Sequence, residues 1–147
     1  MKLALSFSSL VLAMLGTMAM AQGDGATVRK DLEGIWLPES AELGGVKYPD
    51  EILKTMKLVL KDENYTVDVG GQIDEGTWTT DPKKSPREMD IKGTNGPNKG
   101  RTILAIYERE KDTLRVCYEL SGKGRPAEFT TKTNTKQFLV TYKRGKP

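Results

Sequence analysis

From residue 57 to residue 142 the chain reads with a period of two. Leu58 and Leu60 alternate with Val59 and Lys61, and Tyr65, Val67 and Val69 with Thr66 and Asp68. Leu114, Val116 and Tyr118 alternate in the same way with Arg115 and Cys117. Successive side chains of a strand point to opposite faces, so this pattern favours sheets with one buried face over long helices. Turn signals close each run: Asp62-Glu63-Asn64, Gly70-Gly71, residues 81–86 with Pro82 and Pro86, residues 93–100, Lys111-Asp112, and residues 121–126. Further runs at 72–80, around Met89 and Ile91, at 101–108, at Phe129, and at Phe138, Val140 and Tyr142 bring the expected total to about eight to nine short strands. The connections are short enough for antiparallel neighbours. The expectation is therefore an all-β chain, an up-and-down antiparallel barrel, with a sandwich as the alternative. Residues 101–108 are apolar on both faces through Ile103, Leu104, Ala105 and Ile106, and are expected to form the most buried strand.

Ahead of that region, residues 32–43 have strand character around Ile35 and Leu37. Pro38 limits an unbroken strand unless it sits at an edge or bulge. Gly44-Gly45 is a turn. Residues 48–56 read as one short helix after the first strand, with Pro49 and Asp50 at its start and Ile52, Leu53 and Met56 on one apolar face. A helix this short is not stable alone and is expected to lie on one end of the barrel.

The first residues carry an export pattern. Lys2 is followed by a mostly apolar run and then by Ala19-Met20-Ala21, small residues at −3 and −1 before Gln22. The domain reading is a signal peptide over residues 1–21, a Gly-rich flexible leader over 22–30 and a barrel domain over 31–147, with a periplasmic or extracellular address. An uncleaved anchor is the rival for the first segment, which is borderline in length for a span. No Cys follows the apolar run to take a lipid. No other segment approaches the length of a membrane span.

The chain has no histidine and one cysteine, Cys117. The absence of histidine removes Ser-His and Cys-His nucleophile pairs and the usual zinc sites. One cysteine excludes an internal disulfide, so packing must hold the fold. Cys117 is either a reactive thiol or a small buried residue of a strand. The formal net charge of +3 is too small to argue for nucleic acid. Its distribution is uneven: residues 24–75 carry 12 acidic and 6 basic side chains, and residues 76–147 carry 8 and 16. Acidic and basic flanks suit either charge-driven protein association or plain solvation.

Leu32-Glu33-Gly34-Ile35-Trp36 opens the ordered part of the chain. A Gly-x-Trp at this place resembles the start of lipocalin-like β-barrels. Further stretches are Pro49-Asp50-Glu51, Tyr65-Thr66-Val67, Glu75-Gly76-Thr77, Asp90-Ile91, Gly96-Pro97-Asn98-Lys99-Gly100 and Ile106-Tyr107-Glu108. Asp112-Thr113-Leu114-Arg115-Val116-Cys117-Tyr118, Arg125-Pro126 and Glu128-Phe129 complete them. Together these resemble a planctomycete-type family of paralogous exported bacterial domains of uncharacterised function. The resemblance implies a small lipocalin-like barrel and export, and offers no catalytic residues to carry over. It also implies structural roles for Gly34 and Trp36, with Arg144 or Lys143 of the last strand lying across the indole ring.

The candidate sites are few. No catalytic, metal-binding or cofactor-binding set stands out. Residues 96–102 look like a phosphate cradle, but the Gly-Lys-Thr order and the following strand are wrong for one. A basic patch of Lys83, Lys84, Lys99, Lys123 and Arg125 for an anionic ligand stands against ordinary hairpin turns. The carboxylate pairs Asp74/Glu75 and Glu108/Glu110 carry no mark of burial. The barrel interior remains, with Tyr65, Trp78, Tyr107 and Tyr118 as ligand-contacting candidates. The leading expectation is a non-catalytic exported protein holding a small apolar or amphipathic ligand near the short helix. The alternatives are an interaction module with a filled barrel and a His-free hydrolase.

Overall fold

The computed structural model describes residues 23–147. The segment read as a signal peptide lies outside them. In chain order the elements are α1 Gly23–Leu32, β1 Gly34–Leu43, β2 Val46–Lys47, α2 Asp50–Leu53, β3 Met56–Lys61 and β4 Asn64–Val69. There follow β5 Gln72–Asp81, β6 Arg87–Asn95, β7 Thr102–Glu110, β8 Thr113–Glu119 and β9 Gln137–Arg144. β1 pairs antiparallel with β3, each of β3 to β8 pairs antiparallel with the next, and β9 returns to pair with β1. The result is a closed antiparallel barrel of eight strands, β1 and β3–β9, with β2 a short addition to β1. None of the described helices is long and apolar enough to cross a membrane.

The period-two pattern sets which side chains turn inward. Leu58 and Leu60, Tyr65, Trp78, Met89, Ile103, Ala105 and Tyr107, Leu114, Val116 and Tyr118, and Val140 and Tyr142 form one buried cluster. Burying each large apolar side chain contributes roughly 1.5–3 kcal/mol. Pro38 sits where the β1–β9 register shifts, between Pro38 and Ser40. The β1–β3 ladder ends at Trp36↔Leu58, just before this proline, which has no N–H to donate. Beyond that point the single turn of α2 covers the gap, with Leu53 turned into the core.

Four expectations change. The leader is helical through α1, because Val28 and Leu32, four residues apart, both pack on the barrel core. The helix expected over residues 48–56 shrinks to one turn: Met56 opens β3, and Ile52 is exposed rather than sharing the apolar face. Phe129 lies in no strand; residues 121–136 are irregular. Finally, β7 is not alone in being buried on both faces. Ile106 and Cys117, cross-strand partners on β7 and β8, are both buried outside the barrel core. The 121–136 loop lies over this outer face. The Cys117 thiol donates to Thr130 O at 3.6 Å, and the Arg115 guanidinium stands 4.4 Å from the Phe129 ring centre.

Candidate functional site

The barrel has a sealed end and an open one. At the sealed end Trp36 is fully buried, and its indole Nε1 donates to Leu32 O at 2.8 Å. The Arg144 guanidinium lies 4.3 Å over the Trp36 ring and donates to Glu33 O at 2.7 Å and Asp31 O at 2.8 Å. It passes so close to Gly34 that a Cβ there would meet Nη1 at 2.9 Å, and Gly34 has φ 129°, a conformation costly for other residues. Gly34, Trp36 and Arg144 thus form one structural unit, capped by α1.

Toward the open end the interior is not filled. A cavity of about 220 Å³ lies inside the barrel. Its walls are mostly apolar, including Leu58, Leu60, Met89, Ile91, Ile103 and Phe138. Val69, Gln72 and Pro97 belong to its lining and are exposed, so they mark the rim. Of the four aromatic candidates, Tyr65, Trp78 and Tyr118 line this cavity. Tyr107 does not; it is packed nearer the sealed end, with its hydroxyl buried and unpartnered among the described residues.

Polar groups punctuate the cavity wall. Trp78 is almost wholly buried, and its indole N–H has no partner among the described residues. The hydroxyls of Tyr118 and Tyr142 share one hydrogen bond at 3.0 Å. Burial pushes the Tyr118 pKa well up and that of Tyr142 to about 12, so both hydroxyls stay protonated at any ordinary pH. Near the rim the Tyr65 hydroxyl donates to Asp74 Oδ2 at 3.0 Å. The Asn98 backbone N–H donates to Asp74 Oδ1 at 3.0 Å, and its Nδ2 donates to Oδ2 at 2.9 Å. Burial, then the Asp74 charge, push the Tyr65 hydroxyl well above its ordinary value.

Asn98 reaches Asp74 because the 96–101 loop folds back on the end of β6. Gly93 donates to Arg101 O at 3.0 Å and accepts from Gly100 N at 2.9 Å. A Cβ at Gly93 would stand 1.9 Å from Asn98 O, so only glycine permits the fold-back. This loop is therefore a rim element rather than a phosphate cradle. The expected basic patch does not form. Lys83 and Lys84 follow β5, at the end opposite the loops that carry Lys99 and Lys123. Arg125 is committed to Asp90 at 2.6 Å and to Ala105 O at 2.8 Å. Glu75, Glu108 and Glu110 are exposed, and Glu108 pairs with Arg115 at 2.6 Å. Among the described residues no three His, Cys, Asp or Glu side chains gather as a metal site.

The sequence did not single out Asp74 with Asn98, or Tyr142 with Tyr118. Alternation marks Tyr142 as a strand residue, but nothing local says its hydroxyl meets that of Tyr118 across the interior. No protein-family model, curated protein or solved structure matches this chain.

Proposed function

We propose that this is an exported, non-catalytic binding protein that holds one small, mainly apolar molecule inside its barrel. The unfilled interior of about 220 Å³ carries the reading. Close-packed cores leave few voids larger than a water molecule. An apolar cavity of about 150 Å³ is enough to bind benzene, whereas drug-sized ligands need upwards of about 300 Å³. The volume here suits a molecule of one ring. The N-terminal export pattern, Lys2 followed by a mostly apolar run, and the likeness to exported planctomycete-type domains support the address. A filled-barrel interaction module is the weaker reading, because the space is there.

Titration with toluene, phenol and indole, followed by amide NMR, tests the proposal. The expected result is saturable shifts at Val67, Ile91 and Ile103, abolished in Ile103→Trp, where the larger side chain occupies the space. If none of the three compounds moves these amides, the binding reading fails.

A further inference from the structure

We infer that the cavity selects a one-ring organic cation, a protonated amine whose ammonium meets Asp74 at the rim while its ring fills the apolar interior. This rests on the binding reading above and goes further in naming the ligand chemistry.

Strand pairing places Asp74 on the inner face. It stands opposite Val67 across the β4–β5 ladder, and it alternates along β5 with Gln72 and Trp78. Alternate residues of a strand share a face, and so do residues paired directly across a ladder. Val67, Gln72 and Trp78 line the cavity, and Asp74 lines it with them. Glu75, on the other face, is exposed. Asp74 is half-buried, and its carboxylate is fixed there by the hydroxyl of the buried Tyr65 and by Asn98.

Nothing neutralises this charge. Asp74 belongs to none of the ion pairs among the described residues. No Lys or Arg among them lines the cavity. Lys99 and Arg101, on the adjoining loop, are exposed, and Arg101 is engaged with Leu120 O and Asn98 Oδ1. The three donors to Asp74 are all neutral: the Tyr65 hydroxyl, the Asn98 backbone N–H and Asn98 Nδ2. A carboxylate offers about four lone-pair positions. Oδ2 accepts two of these bonds and Oδ1 only one, so Oδ1 keeps a position for a further donor.

A carboxylate partly withdrawn from water, with no counter-ion, favours a ligand that brings one. A neutral hydrocarbon would fit the walls, but would strip water from Asp74 and replace it with nothing. An anion would approach a like charge and find no cation. An ammonium donates to the remaining Oδ1 position in a charge-assisted bond. Tyr65, Tyr118 and Phe138 belong to the same lining, and aromatic walls accept a nearby cation better than aliphatic ones. The volume of about 220 Å³ limits the apolar part to about one ring.

Benzylamine, ethylbenzene and benzoate separate these properties, since they share one ring and differ in charge. Each is titrated into the protein at neutral pH, with affinity read from amide NMR and the carboxyl carbon of Asp74 followed alongside. Benzylamine should bind on the order of tenfold tighter than ethylbenzene, about what one hydrogen bond between charged groups provides. It should also shift the Asp74 carboxyl carbon, while benzoate gives no saturable change. In Asp74→Asn the preference for benzylamine over ethylbenzene should fall to parity or reverse. Should that variant not fold, the wild-type order of affinities and the Asp74 carboxyl shift decide. If ethylbenzene binds as tightly as benzylamine and the Asp74 carbon stays put, the cation inference is overturned and the binding reading survives. A preference for benzylamine that persists in Asp74→Asn overturns it equally, as does benzoate binding as tightly as benzylamine. If neither these compounds nor toluene binds, the binding reading falls as well.

Discussion

Arg144 carries four contacts at once: the face of the Trp36 ring, Glu33 O, Asp31 O and the Asp112 carboxylate at 3.6 Å. Lysine has a point charge in place of a planar fork and cannot make the same set. Arg144→Ala should therefore cost about 1–3 kcal/mol, and Arg144→Lys should recover little of it. Trp36→Ala should cost about 3–5 kcal/mol, as for other buried aromatics. Urea midpoints measure all three; a Lys variant as stable as wild type would show that charge alone suffices. At this scale the Gly-x-Trp motif and a basic residue in the last strand were legible, because both are local signals. The choice of Arg144 over Lys143 was not, since it depends on the β1–β9 register, which pairs Trp36 with Arg144. The aromatic side chains of the cavity wall were legible only as aromatic residues. Whether Trp78 N–H meets an acceptor is a property of its neighbours in space.

Among the elements, the 121–136 loop is the one that local pattern reading missed. Its residues do not alternate cleanly, and Phe129 looked like a strand marker because it is apolar. Its ring instead serves the outer face of β8 through Arg115. Arg125 clamps the loop to β6 and β7 through Asp90, Met89 O and Ala105 O. Beneath the loop Cys117 is fully buried, and burial pushes its thiol pKa up to about 11, so it is a poor nucleophile in the folded state. Arg125→Ala removes charge-assisted bonds and leaves Asp90 and Glu88 without their partner. Cys117 should then react with Ellman's reagent at least about tenfold faster at neutral pH, with the fold retained by circular dichroism. An unchanged labelling rate would mean that the loop is held by other contacts. Helix α1 was misread for a similar reason: Gly23 and Gly25 suggest a loose leader, while the deciding pair, Val28 and Leu32, acts only once there is a barrel to pack on.

For the molecule as a whole, the absence of histidine and the buried hydroxyls shape the response to pH. Burial raises the pKa of Tyr118 and Tyr65 above the ordinary 10.0, and takes Tyr142 to about 12 and Cys117 from 9.0 to about 11. The folded state thus favours the protonated forms. Their stabilisation is whole below the unfolded values and is lost as pH rises through the folded ones. Urea-derived stability should be nearly flat from about pH 6 to 9, where no histidine titrates. It should then fall between about 9 and 12, with roughly 2 kcal/mol lost through Tyr142 alone. A decline beginning near pH 7 would contradict this account. The barrel itself was readable in the sequence, because alternation and turn signals repeat along the chain. The size of its void was not, since it depends on how side chains from all the strands meet.

Closure by the first and last strands has a consequence for how the chain reaches this state. Arg144 bonds to Glu33, 111 positions away, and the β1–β9 ladder runs from Trp36↔Arg144 to Leu43↔Phe138. The ring cannot shut until the last strand has been made. Until then β1 and β8 both present unpaired edges, open to the wrong partner. Pairings this distant also place the protein among the slower folders of its size.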